Sequence, residues 1–233
     1  MSPPPETGAD REPAGAVEPD ALHALLRSRR SLRRFSPAPI GRPVLERLLA
    51  AAITAPSSTN RQPWRFTVVT NPDRRRAVAG AVRARADEMK AIVARGHHAA
   101  DFGNYADFFH EPLESAAAIV IPQYREHEDL IASFIASGGG DPARFTTSAA
   151  MHAELASTSA AVMLLLVAAH AEGLGGCWMA GPMIARDEIG GLCGIVPPWR
   201  MLGAVALGHP DPALPVPASP GRKSLDRVAE FIE

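Results

Sequence analysis

The densest group of side chains able to hold an anion is Arg29, Arg30, Ser31, Arg33 and Arg34. Guanidinium groups bind phosphate through paired, charge-assisted hydrogen bonds, and a serine hydroxyl adds another. Such a group could hold the dianionic end of a mononucleotide, or it could be a solvated basic helix end that favours the macrodipole. A second polar group follows Pro56: Ser57, Ser58, Thr59 and Asn60, then Gln62, Pro63 and Trp64. Short polar side chains on a bend bond nearby backbone groups or a ligand, and the Gln62 amide offers two donors and an acceptor. Trp64 reads as core. Met179 to Pro182 is a plain turn after a strand, or a place where Gly181 lets the backbone approach a ligand closely. Arg222 and Lys223, just after Gly221, are two more cations in what composition alone calls a solvated tail.

Other chemistries fail on residue type or spacing. The eight histidines include no HExxH, and no His/Cys pair stands at zinc spacing, so no metal site is expected. Cys177 and Cys193 form neither a disulfide framework nor a CxxC pair and read as small buried side chains. There is no Walker loop, no GxGxxG opening a helix and no GxSxG elbow. At 46% hydrophobic, 21% charged and a net charge of −1, the chain belongs with globular proteins, and neither nucleic acid nor an anionic membrane is expected as partner. No apolar run approaches a membrane span and the first residues lack a signal-peptide core, so the expected location is cytoplasmic.

The elements that position these groups follow from periodicity and punctuation. Residues 1–19, with five prolines and few large apolar side chains, read as a disordered tail ahead of one domain over 20–233. A first helix capped by Asp20 carries Leu22, Leu25 and Leu26 and runs into the arginine cluster, where Arg30, Arg33 and Arg34 would share a face. A second helix opens at Pro43 and runs to about Thr54; a third spans about 73–94. Strands are expected over Trp64–Thr70, Ala116–Pro122, Gly175–Met179 and Met201–Leu207. Residues 96–112, which include the adjacent His97 and His98, are irregular, either a lid or a surface connection, and 123–146 are mixed. Ser148 begins the longest helix, apolar on nearly every side and stopped by Gly173, and Ala185–Leu192 is a short helix. The prolines between 210 and 220 exclude regular structure, and Ser224–Phe231 forms a last turn. Without a βαβ rhythm, the class is α+β.

Taken in order, four segments resemble the FMN-dependent nitroreductase family. They are Arg29-Arg30-Ser31-Leu32-Arg33-Arg34-Phe35, Ala55 to Phe66, Gly173 to Trp178, and Leu207-Gly208-His209-Pro210; the likeness runs from about Ala21 to the C-terminus. The resemblance implies a mostly antiparallel central sheet flanked by helices, with an extended C-terminal arm. It places Arg29, Arg30 and Ser31 at the FMN phosphate, with Arg33 nearby and Arg222 and Lys223 reaching it from the tail. It places Ser58, Asn60 and Gln62 along the ring and ribityl chain, and the Ala180–Gly181 backbone near flavin N5. It further implies NADH or NADPH as donor, a small organic acceptor and a ping-pong order. The same likeness implies a homodimer with the flavin at the subunit interface. No catalytic acid or base is named, because the flavin carries the electron chemistry. Relatives with dehydrogenating, dehalogenating or flavin-fragmenting reactions, and a non-catalytic flavin-binding protein, are the alternatives.

Overall fold

Five strands form one antiparallel sheet whose two faces are both covered. The computed structural model describes residues 17–97, 105–145, 151–215, 217–218 and 221–233. The strands are β1 (Trp64–Val69), β2 (Ala118–Tyr124), β3 (Gly175–Met179), β4 (Arg200–Met201) and β5 (Ala204–Gly208). They run in the order β1-β2-β5-β3, with β4 pairing the end of β2. Every pairing is antiparallel. The expected α+β class and antiparallel sheet are what the chain forms.

Ala118 and Val120 point to one face of β2, and Ile119 and Ile121 to the other. That is why this strand reads as a continuous apolar run, although its ladder is antiparallel. On one face lie helices α3 (Pro72–Val93), α4 (Glu111–Ser115) and α7 (Arg186–Cys193). Val78, Val82, Leu113 and Ile189 meet Ile119, Ile121 and Ala206 there. On the other face, α2 (Arg42–Ala52) and α6 (Ala153–Ala171) pack Leu45, Leu48, Leu165 and Leu166 on Val120, Val205 and Leu207. The outer helices α1 (Pro19–Ser28) and α5 (Leu130–Ser137) bury no residue.

The ends of these helices follow local chemistry. Pro72 follows Asn71, whose side-chain oxygen accepts the Arg74 N–H at 3.0 Å to cap α3. At the far end of α6, Gly173 takes φ +74°. Leu174 N–H then reaches Ala169 O and Gly173 N–H reaches His170 O, a Schellman closure that satisfies the last carbonyls. The 19-residue α6 is long and apolar enough to cross a membrane by length and composition alone; here it is a helix packed on the sheet.

Several expected elements are corrected. The first helix begins at Pro19, after Glu18 rather than at an Asp20 cap, and it ends at Ser28. Arg29 has ψ 130°, so the arginine segment leaves the helix extended, and Arg30, Arg33 and Arg34 share no helical face. The expected 201–207 strand is two, because Gly203 takes φ +84° with its α-carbon pressed toward Met179 O. The mixed stretch 123–146 contains α5. β2 runs two residues later than expected, and the last turn is confined to Leu225–Arg227. Cys177 is buried, whereas Cys193 is half-exposed. Residues 1–16 of the expected tail, His98, and the expected helix start at Ser148 lie outside the described residues.

Gly203→Ala is expected to lower stability. Its β-carbon would stand 2.4 Å from Met179 O, and the left-handed backbone adds about 1–2 kcal/mol of strain for a residue with a side chain. Gly191→Ala is the control: it lies in α7 with open space around the new methyl and should be neutral or stabilising by up to about 1 kcal/mol. Urea midpoints of the two variants check this.

Candidate functional site

The extended segment after α1 lies along the edge of the sheet. Ser31 bridges Gly176 in parallel, Leu32 N–H donates to Gly176 O at 3.2 Å, and Phe35 bridges Pro210. Glycines make this approach possible. A β-carbon on Gly175 would stand 2.5 Å from Leu32 Cδ1, and one on Gly208 2.6 Å from Phe35 Cβ. Ser31 is therefore fixed by backbone contact to β3, and Arg29, Arg30 and Ser31 are half-buried. Arg30 folds its guanidinium onto the Arg27 and Arg29 carbonyls at the end of α1. Arg29 and Arg33 both press on the Cys177 thiol's ionisation, although burial dominates and pushes that thiol up. Arg33 itself is exposed, its guanidinium 5.9 Å from the Phe108 ring centroid.

β3 gives the scale of the site. Ala180 and Gly181 stand four and five residues beyond Gly176, about 15 Å along an extended strand. Gly181 is packed tightly: its missing β-carbon would fall 2.4 Å from Phe109 Cδ1. Anchored phosphate at one end and glycine backbone at the other would suit an extended mononucleotide lying along this edge.

The polar turn 57–62 is held in a conformation that sequence did not disclose. Thr59, Asn60 and Gln62 all have φ near +50°, a region that side chains rarely adopt. Ser57 Oγ accepts the Gln62 N–H at 3.0 Å, and the Gln62 amide donates to Asn60 Oδ1 at 3.3 Å. Ser58 N–H donates to Ser157 Oγ of α6 at 3.4 Å. Beneath them Arg61 Nη1 meets Glu154 Oε1 at 3.0 Å, with side chains only 15% and 9% exposed. Arg61, Glu154 and Ser157 were not among the sequence candidates. The one signal was an acid and small hydroxyls at the start of an otherwise apolar helix.

Within one chain the structure does not bring all candidates together. The turn is tied to α6 at Ser157, whereas the arginine segment meets α6 near His170, where Ser28 Oγ lies 2.7 Å from the imidazole. Thirteen positions of helix separate these anchors, about 20 Å. Arg222 and Lys223 lie on the exposed stretch 221–233. Among the described residues no group of three His, Cys, Asp or Glu side chains could hold a metal.

Glu154→Gln is expected to leave the Arg61 charge buried without its counter-ion and to cost about 3–5 kcal/mol. Hydrogen exchange should show residues 57–62 opening. The double replacement Arg61→Met with Glu154→Leu should recover part of that loss, and a thermodynamic cycle across the four proteins measures the coupling.

Comparison with known proteins agrees with this fold. The family model described as the nitroreductase family matches residues 26–209. A Thermus thermophilus NADH dehydrogenase is 42% identical over 74 residues, covering 32% of this chain and 36% of that protein. The chain spans between 26% and 58% of the length of the curated relatives it matches. A BluB-like flavoprotein from Clostridium difficile 630 superposes with a TM-score of 0.75 at 20% identity, covering 91% of this chain and 99% of that one. An iodotyrosine deiodinase bound to FMN and 3-iodo-L-tyrosine gives 0.66 at 22% identity, covering 90% and 100%. With four-fifths of its length matched and the sheet, the edge segment and the polar turn in place, the chain belongs to the nitroreductase family.

Proposed function

We propose that this protein is an FMN-dependent oxidoreductase that takes a hydride from NADH or NADPH and passes it to a small organic acceptor, such as a quinone or a nitroaromatic. The observation that carries this reading is the seating of Arg29–Ser31 on the glycine edge of β3, one strand length from Ala180 and Gly181. FMN, when bound, would supply the redox chemistry. The chain's own residues bind and tune. Arg29, Arg30 and Ser31, with Arg33 beside them, meet the phosphate dianion through charge-assisted hydrogen bonds. A backbone N–H from Ala180 or Gly181 would favour the electron-rich form of the ring. Ser58, Asn60 and Gln62 serve the ring and its ribityl chain, and solvent supplies protons.

The working unit in this reading is a homodimer. One chain's turn stands about 20 Å along α6 from its own arginine segment, so a second copy is the natural source of the missing wall. Apolar surface supports it: Leu22 and Leu26 of α1, Met163 of α6, and Phe231 and Ile232 of the C-terminal arm are all exposed. The arm that carries Arg222 and Lys223 would then reach across to the neighbour's phosphate.

The purified protein is expected to hold or take up FMN, recognised after acid release, and to oxidise NADH or NADPH only while an acceptor is present. Double-reciprocal plots should be parallel. Arg30→Ala is expected to weaken FMN about 10- to 100-fold while leaving riboflavin affinity nearly unchanged, the loss of one charged hydrogen-bonding partner. Failure to bind FMN contradicts the whole reading. Stoichiometric FMN without nicotinamide turnover contradicts the reaction and leaves a flavin-binding protein.

A further inference from the structure

Ser28, the last residue of α1, donates its hydroxyl proton to Leu25 O at 3.0 Å. A hydroxyl has one proton, so while Ser28 spends it on Leu25 O the 2.7 Å contact between Ser28 Oγ and His170 Nε2 takes the imidazole Nε2–H as donor. In that tautomer Nδ1 is the ring's acceptor nitrogen. The ring is half-buried in the last turn of α6, beside the segment read above as a phosphate site.

The charges around it are unbalanced. Arg29 and Arg30 act on His170 from the segment after α1. Glu172, two residues on in the chain, is occupied by Arg47 of α2 through two 2.7 Å contacts. From β3, Gly176 faces α6 and carries no charge, and the Cys177 side chain lies on the other face of the sheet. Burial first, then the charges of Arg29 and Arg30, hold the imidazole below the usual histidine range in the free protein. A phosphate dianion seated on those arginines reverses the local field. The end of α6 also favours a cation there, since carbonyls face it.

We propose that His170 is the proton-linked member of the phosphate site: when a phosphate dianion binds at Arg29–Ser31, the ring takes one proton from solvent at Nδ1 and becomes a third cation beside it. This rests on the reading of Arg29–Ser31 as the cofactor's phosphate site. Ser28 acts through His170 by fixing the ring's orientation. The sign follows from linkage. Binding raises the histidine's pKa, so affinity for the phosphate grows as pH falls through the window between the bound and free values, and it is flat below that window. The phosphate's own second ionisation, near about 6, acts in the opposite sense, so the difference between wild type and His170→Gln at each pH isolates the histidine.

The test follows the His170 imidazole by NMR between about pH 5 and pH 8 in flavin-free full-length protein. It is run alone, with inorganic phosphate, with FMN and with riboflavin. The expected midpoint lies below about 6.5 in the free protein, rises with phosphate and with FMN, and stays put with riboflavin. FMN affinity of wild type should gain over His170→Gln about tenfold for each unit by which the midpoint rises, measured at pH below the free value. An unmoved midpoint with both phosphate and FMN overturns the proposal, whether or not His170→Gln folds. If phosphate moves it but FMN is not bound, the proton-linked anion site stands and the oxidoreductase reading falls.

Discussion

The structure depends on a close approach of backbones at the open edge of the sheet. Residues 31–35 lie on β3 and on the end of β5 because positions 175 and 208 carry no side chain where Leu32 and Phe35 come down. Gly176 completes the clasp from the other face, since its β-carbon would stand 2.8 Å from Leu166 Cδ2 of α6. Three glycines thus let one extended segment share the core with the sheet while its arginines remain at the surface. The segment's direction, the nearness of Ser28 to His170 and the strand-length spacing to Ala180 and Gly181 all follow from that contact. Larger side chains at 175 or 208 would expel Leu32 or Phe35 and carry the arginines away with them.

A different balance holds the polar turn. Three residues with left-handed backbone cost about 1–3 kcal/mol each, and nothing in their own side chains requires it. The Ser57 and Ser157 hydroxyls and the buried Arg61–Glu154 pair fix that geometry from below. The consequence is rigidity where a binding surface benefits from it: Ser58, Asn60 and Gln62 are presented by a backbone that cannot relax into an ordinary turn without breaking a buried ion pair. Under the proposed function, strain here and glycine at β3 are two answers to one need, bringing backbone and short polar groups close to a flat ligand.

Much of this was legible in the sequence, for identifiable reasons. The strands β1 and β3, the apolar α6 and its Gly173 stop were signalled by composition and punctuation, because local preference and tertiary packing agree there. The end of α1 was not: arginine is a good helix former, and nothing near Arg29 announces that a glycine pair about 145 residues later will draw the chain out straight. Gly203 was missed inside an apolar run because its role is set by Met179 across the sheet. The candidate residues at 29–31, 58–62 and 180–181 were readable as chemistry, but their partners were not. Glu154 and His170 each sit in a helix that reads as plain core, and each matters through a residue far away in sequence, Arg61 and Ser28.

A crystal structure of the protein grown with FMN tests the central claim most directly. The account predicts the phosphate against Arg29, Arg30 and Ser31, the ring edge against the Ala180–Gly181 backbone, and Leu32 still seated over Gly175. A flavin bound elsewhere, or bound here with its phosphate turned away from the Arg29–Ser31 segment, would contradict it.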